Sequence, residues 1–105
     1  MRITVSHTKS KEEVMRAVDR SFNDLFQGIS ITPLQFVDEK RSWQGSTMNF
    51  VLKAKMGFVS VPIRGTIEVT DRDLIVEVDL GLLERLLGAT QAREAITTHV
   101  RGLLT

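Results

Sequence analysis

The chain has 105 residues, 42% of them hydrophobic, enough for one domain with its own core and too few for two. Fourteen Lys and Arg against thirteen Asp and Glu leave a net charge of +1, which supplies no strong long-range field toward nucleic acid or an anionic membrane. Cysteine is absent, which excludes disulfides, thiolate chemistry and Cys-ligated metal or iron–sulfur sites. MRITVSHTKSKEE holds no apolar core of signal-peptide length, and no apolar run approaches the ~20 residues that cross a bilayer. The expectation is a single cytoplasmic domain over residues 1–105.

Arg2 to Ser6 alternates, with Ile3 and Val5 to one side, and predicts a short first strand. A helix starts in SKEE, where Ser10 caps and Glu13 reaches back to the Ser10 amide. Val14, Val18, Phe22, Leu25 and Phe26 recur at helical spacing as one apolar stripe, and Gly28 ends the helix.

From Ile31 the period is two. TPLQFVDEKRSWQG predicts a strand that is irregular at Pro33 and ends at Trp43, before a turn at residues 44–46. Met48, Phe50, Leu52 and Ala54 then alternate against Asn49, Val51, Lys53 and Lys55. After Met56-Gly57, residues Val59, Val61, Ile63, Ile67 and Val69 share a face with Gly65. Pro62 cannot donate a ladder hydrogen bond and marks a bulge or an edge stretch. Asp71-Arg72-Asp73 turns the chain, and Leu74, Val76, Val78 and Leu80 point inward again.

At Gly81 the alternation stops because a helix begins. Leu82, Leu83, Leu86 and Leu87 make its apolar side, with Glu84 and Arg85 outside. Glycine costs ~1 kcal/mol relative to alanine inside a helix, so a kink or break is expected at Gly88, with Thr90 as a new cap. Ala92, Ile96, Val100, Leu103 and Leu104 continue the spacing. The fold class that follows is α+β. It is a two-layer sandwich with an antiparallel sheet and both helices on its apolar face, in the order β-α-β-β-β-β-α. TATA-binding-protein-like and minimal helix-grip folds share that order.

No catalytic constellation emerges. His7 follows the first strand as loop punctuation, and His99 is a boundary residue of the last helix. Asp71 and Asp73 are ordinary turn residues, and Glu68 and Glu77 flank the same hairpin on its outer face. No glycine loop is placed to cradle phosphate, and no metal or cofactor set is visible. Lys40, Arg41, Trp43, Lys53 and Lys55 form the one candidate basic patch, diluted by Asp38 and Glu39; nucleic acid is not expected as a partner.

Two features leave a choice between core and contact surface. Trp43 ends its strand beside a turn and either caps the core or faces a partner. Leu82, Leu83, Leu86 and Leu87 cover more than the ~100° stripe a surface helix needs, so they either fill the core or leave a surplus for association.

The series SWQGSTMNF … GTIEVTDRDLIVEVDLGLL, with Trp43, Phe50, Gly65-Thr66-Ile67, the hairpin at 71–73 and Val78-Asp79-Leu80-Gly81-Leu82-Leu83, resembles the small bacterial polyhydroxyalkanoic acid system (granule-region) family. The stretch LLGATQAREAI is more apolar and less basic than its counterpart in that family. The resemblance implies a bacterial cytoplasmic protein encoded near polyester-storage functions; it implies no activity and no catalytic residues.

The expected function is therefore a non-enzymatic interaction protein, a homodimer linked to polyhydroxyalkanoate granules or their proteins. Trp43, Leu82, Leu83, Leu86 and Leu87 are its candidate interaction surface, and neither cofactor nor metal is called for. The alternative is a small carrier holding an acyl or other apolar ligand between the sheet and the last helix.

Overall fold

The computed structural model describes residues 1–24 and 35–104, except for the side chains of Asn23, Leu83, Leu86, Leu87 and Ala89. Its elements are β1 (Arg2–Ser6), α1 (Lys11–Ser21), β2 (Gln35–Gln44), β3 (Thr47–Met56), β4 (Val59–Val69), β5 (Asp73–Asp79), α2 (Leu82–Leu87) and α3 (Ala89–Leu104), with a 3₁₀ turn at Phe22–Asp24. The expected α+β order is present, with the C-terminal helix broken at Gly88 (φ 85°, ψ 135°) into α2 and α3. Leu25, Phe26 and Gly28 of the expected first helix and Pro33 of the expected second strand lie outside the described residues.

Five antiparallel strands form one sheet in the order β1-β5-β4-β3-β2. The first two strands in sequence thus occupy opposite edges. The inward residues of β3, β4 and β5 are buried in one cluster with Ile3, with Val14 and Val18 of α1, and with Ala92, Ile96 and Val100 of α3. Both helices therefore roof the same face. The other face carries the polar half of each strand, which is why the two-residue period is so regular.

Each local start and stop has a visible cause. Ser10 caps α1 through a 3.2 Å bond from the Glu13 amide to its Oγ. Glu13 does not reach back to the Ser10 amide as a full capping box would; its carboxylate accepts from the Ser10 hydroxyl at 3.2 Å. The β2–β3 and β3–β4 hairpins close through two-residue loops headed by Gly45 (φ 63°) and Gly57 (φ 61°), a backbone region glycine enters without penalty. Thr70 closes the β4–β5 turn: its Oγ accepts from the Asp73 amide at 2.9 Å and the Arg72 amide at 3.3 Å. The Asp73 carboxylate instead accepts from the Ser6 hydroxyl at 3.1 Å, tying the turn to β1.

Gly65 permits the closest approach in the sheet. A methyl there would collide with the Glu77 carbonyl and stand 2.9 Å from Phe50 Cζ. Phe50 lies over this gap and meets Phe22 edge-on, with ring centroids 5.1 Å apart. The sheet thus accommodates the Phe50 ring by giving its neighbour no side chain.

Within its described residues β2 is irregular at Asp38, which the alternation did not predict. Val37 pairs with Lys53 and Lys40 with Val51, so one extra residue is bulged out, with Asp38 at φ 56°. This inverts the parity of the strand. Phe36 before the bulge, and Arg41 and Trp43 after it, all face the helices.

Pro62 marks an edge, as its missing donor requires. It pairs with Lys53 of β3, but β4 pairs with β5 only from Arg64 to Val69. Among the described residues, no strand pairs with residues 59–63 on that side. The chain leaves β5 where a partner would otherwise continue: the Asp79 carboxylate accepts from the Gly81 amide at 3.0 Å, and Gly81 adopts φ 56°, ψ −132° beside Val61 and Pro62. Alternation ends at Gly81 for a steric as well as a hydropathic reason, since glycine alone enters this conformation without penalty.

Candidate interaction surface

The two parts of the expected surface are at different ends of the sheet. Trp43 pairs with Met48, which pairs with Ile67. Gly81, where α2 begins, abuts Val61 and Pro62. Five or six residues of β4 separate these positions, roughly 16–20 Å at ~3.3 Å per residue.

Trp43 is half-buried and packs against the core, and its indole N–H donates to Asp19 of α1 at 3.2 Å. Arg41, two residues before it, reaches the same carboxylate at 3.5 Å and lies 5.2 Å from the Phe22 ring centroid. Together they bind the edge strand β2 to α1. With side chains about a third to a half exposed, the ion pair contributes under ~1 kcal/mol.

Leu82, the first residue of α2, is 55% exposed. The side chains of Leu83, Leu86 and Leu87 lie outside the described residues. Three further large apolar side chains are exposed: Val51 (42%), Phe58 (109%) and Val59 (50%). Phe58 and Val59 lie at the tip of the β3–β4 half that extends beyond β5, and Leu82 on the helix beginning beside it; Val51 is on the outer face opposite Arg64, where β5 still pairs. Val59 shares the parity of buried Val61 and Ile63, yet it sits at the end of the strand where nothing described covers it. Phe58 was not singled out from sequence; an aromatic at the second position of a two-residue Gly-Xaa loop was the signal that could have found it.

The candidate basic patch is divided between faces. Lys40, Lys53 and Lys55 are in register with outward-facing residues, whereas Arg41 and Trp43 face the helices. Lys53 lies 3.8 Å from Asp38. Basic groups and a stacking aromatic are therefore not presented together. On the outer face Lys40, Lys53, Lys55 and Arg64 lie toward the β3–β4 tip, with Asp38 beside Lys53, while Glu68 and Glu77 lie in the other half, with Arg2 opposite Glu77. Arg64 and Asp79 face one another across the boundary.

His7 is the one buried polar residue among those described, and it has a structural task. Nδ1 accepts from the Lys9 amide at 3.2 Å, so the ring proton is on Nε2, which donates to the Thr70 carbonyl at 2.9 Å. With both nitrogens engaged, the ring holds the β1–α1 loop against the β4–β5 turn. His99 is a boundary residue of α3, half-buried, and its Nε2 finds no partner among the described residues. No three His, Cys, Asp or Glu side chains converge among the described residues.

Between sheet and helices, a void of about 10 Å³ lies among Val18, Phe22, Ile67, Leu74 and Val100. That is room for no more than one water. An acyl chain would need these side chains to move apart. No described helix is long and apolar enough to cross a membrane. No protein-family model, curated protein or solved structure matches the chain.

Proposed function

We propose that this is a non-enzymatic interaction protein that works as a homodimer in the cytoplasm and associates with polyhydroxyalkanoate granules or their proteins. One observation carries the interaction part: three of the four exposed large apolar side chains, Phe58, Val59 and Leu82, belong to the tip of the β3–β4 hairpin or the helix that begins beside it. Scattered singly, such residues need no explanation; gathered at one end, they form a surface whose burial is favourable. Leu82 at the start of α2 is the self-association contact. The granule context rests on the resemblance of the segment from Trp43 to Leu83.

Self-association is tested by sedimentation velocity of the wild type and Leu82→Ser. The expected result is a dimer that becomes a monomer in the variant with an unchanged circular dichroism spectrum. A wild type that sediments as a monomer throughout the micromolar range removes the dimer from this reading. Granule association is tested by incubating purified protein with isolated granules and pelleting them through sucrose. Recovery of all the protein in the supernatant counts against it.

A further inference from the structure

We propose that the β3–β4 hairpin tip is a docking finger for the surface of an anionic phospholipid leaflet, with Phe58 and Val59 entering the acyl boundary and Lys55 and Lys53 meeting the headgroup phosphates. This names a partner for the end already read as the contact surface. It rests on that reading but not on self-association through Leu82.

Gly57 at φ 61° lets a two-residue loop close the hairpin, which places Phe58 at its apex with its whole side chain in water. Small or polar residues normally take such positions. Val59 beside it is half exposed, although its strand-mates Val61 and Ile63 are buried. The finger projects because β4 has no β5 partner over residues 59–63.

Its charges are one-sided. From Ser42 to Ile67 the chain contains Lys53, Lys55 and Arg64 and no carboxylate. Lys55 pairs with Ser60 and Lys53 with Pro62, so their ammonium groups leave the outer face two and four residues behind Gly57 of the loop. Asp38 faces Lys53 at 3.8 Å, and Lys55 makes no ion pair among the described residues.

The order along the finger decides the occupant. Apolar groups come first and cations follow some 7–14 Å behind at ~3.3 Å per residue. A leaflet presents the complementary layers, with hydrocarbon beneath phosphates, and interfacial anchors are buried about 5–10 Å into it. A second copy would instead bring lysines of like charge together.

The test is co-flotation of the full chain with vesicles, at low and physiological salt. Wild-type protein is expected to float with mixed phosphatidylglycerol and phosphatidylcholine vesicles and far less with pure phosphatidylcholine. Phe58→Ser should weaken binding about tenfold and Lys55→Gln about fivefold, and added salt should weaken wild type further. Phe58→Trp should gain a blue-shifted emission component on vesicle addition, read as the difference from wild type with Trp43 alone. Because Phe58 is fully exposed, its variants are expected to keep the wild-type unfolding midpoint. Absence of wild-type flotation, equal binding of wild type and Phe58→Ser, or equal binding to both vesicle types overturns the proposal. So does a change of oligomeric state in Phe58→Ser without vesicle binding, which would assign the tip to a second copy. A dimer lost in Leu82→Ser with flotation intact leaves the finger standing; flotation lost with the dimer intact overturns the finger alone.

Discussion

The body of the sheet and its β3–β4 arm are built from the same alternating pattern but close it differently. In the body, β4 lies between β3 and β5, β5 lies between β4 and β1, and α1 and α3 roof the apolar face. In the arm, β4 has a strand on one side only over residues 59–63 among the described residues, and Phe58, Val59 and Leu82 are exposed at its tip and beside it. Alternation predicts which way a side chain points. Only neighbours decide whether what it points at is protein or water.

If the comparison is right, substitutions where arm meets body should damage stability, and those at the tip should damage only binding. The largest effect is expected for Gly65→Ala, because backbone and Phe50 both occupy the space of the new methyl. A loss of about 3 kcal/mol in urea unfolding is expected, and a loss under 1 kcal/mol would mean that the sheet yields easily here. Next is Gly81→Ala, which forces a side chain into φ 56°, ψ −132° against Val61. It should cost about 2 kcal/mol, and an unchanged midpoint would show that α2 leaves the sheet in some other conformation. Trp43→Phe retains the ring packing but gives up the bond to Asp19, for about 1 kcal/mol. A double-mutant cycle with Asp19→Ala checks this, since additive losses would deny the contact. Smallest is Phe58→Ser, with less than about 0.5 kcal/mol expected. A large destabilisation there would erase the distinction between body and arm.

The overall net charge of +1 illustrates the same lesson. Taken as a sum, it argues against attraction to an anionic surface. Resolved along the chain, the run from Ser42 to Ile67 lacks any carboxylate, whereas Glu68, Asp71, Asp73, Glu77 and Asp79 follow within twelve residues. The hairpin geometry turns that sequence asymmetry into a spatial one.

Much of the fold was legible because the code for it is local. Ile3 on β1, Met48 to Ala54 on β3 and Leu74 to Leu80 after the last turn alternate in sequence and are buried or exposed accordingly. Ser10 and Gly88 mark a helix start and a helix break through their own backbone chemistry. The candidate surface was less legible. Trp43 could be read as core or contact until Asp19, twenty-four residues earlier, was seen to accept its N–H. The basic patch is divided by alternation itself, since Lys40 and Arg41 are neighbours on one strand and Trp43 pairs with inward Met48; what the bulge at Asp38 hid is that Phe36 shares the face of Arg41 and Trp43. The sequence shows His7 only as loop punctuation and marks no role for Thr70, because their hydrogen bonds join segments distant in sequence or depend on a turn already formed.

By itself, the order of residues determined the strands, the helices, their apolar faces and the break at Gly88, since each follows from side-chain periodicity and backbone preference within a few positions. Tertiary structure alone decided that β5 stops short of β4, that Trp43 is bonded to α1, and that Phe58 stands at a free tip. Those outcomes depend on which strand pairs with which and over what length, and pairing is a property of segments far apart in the chain.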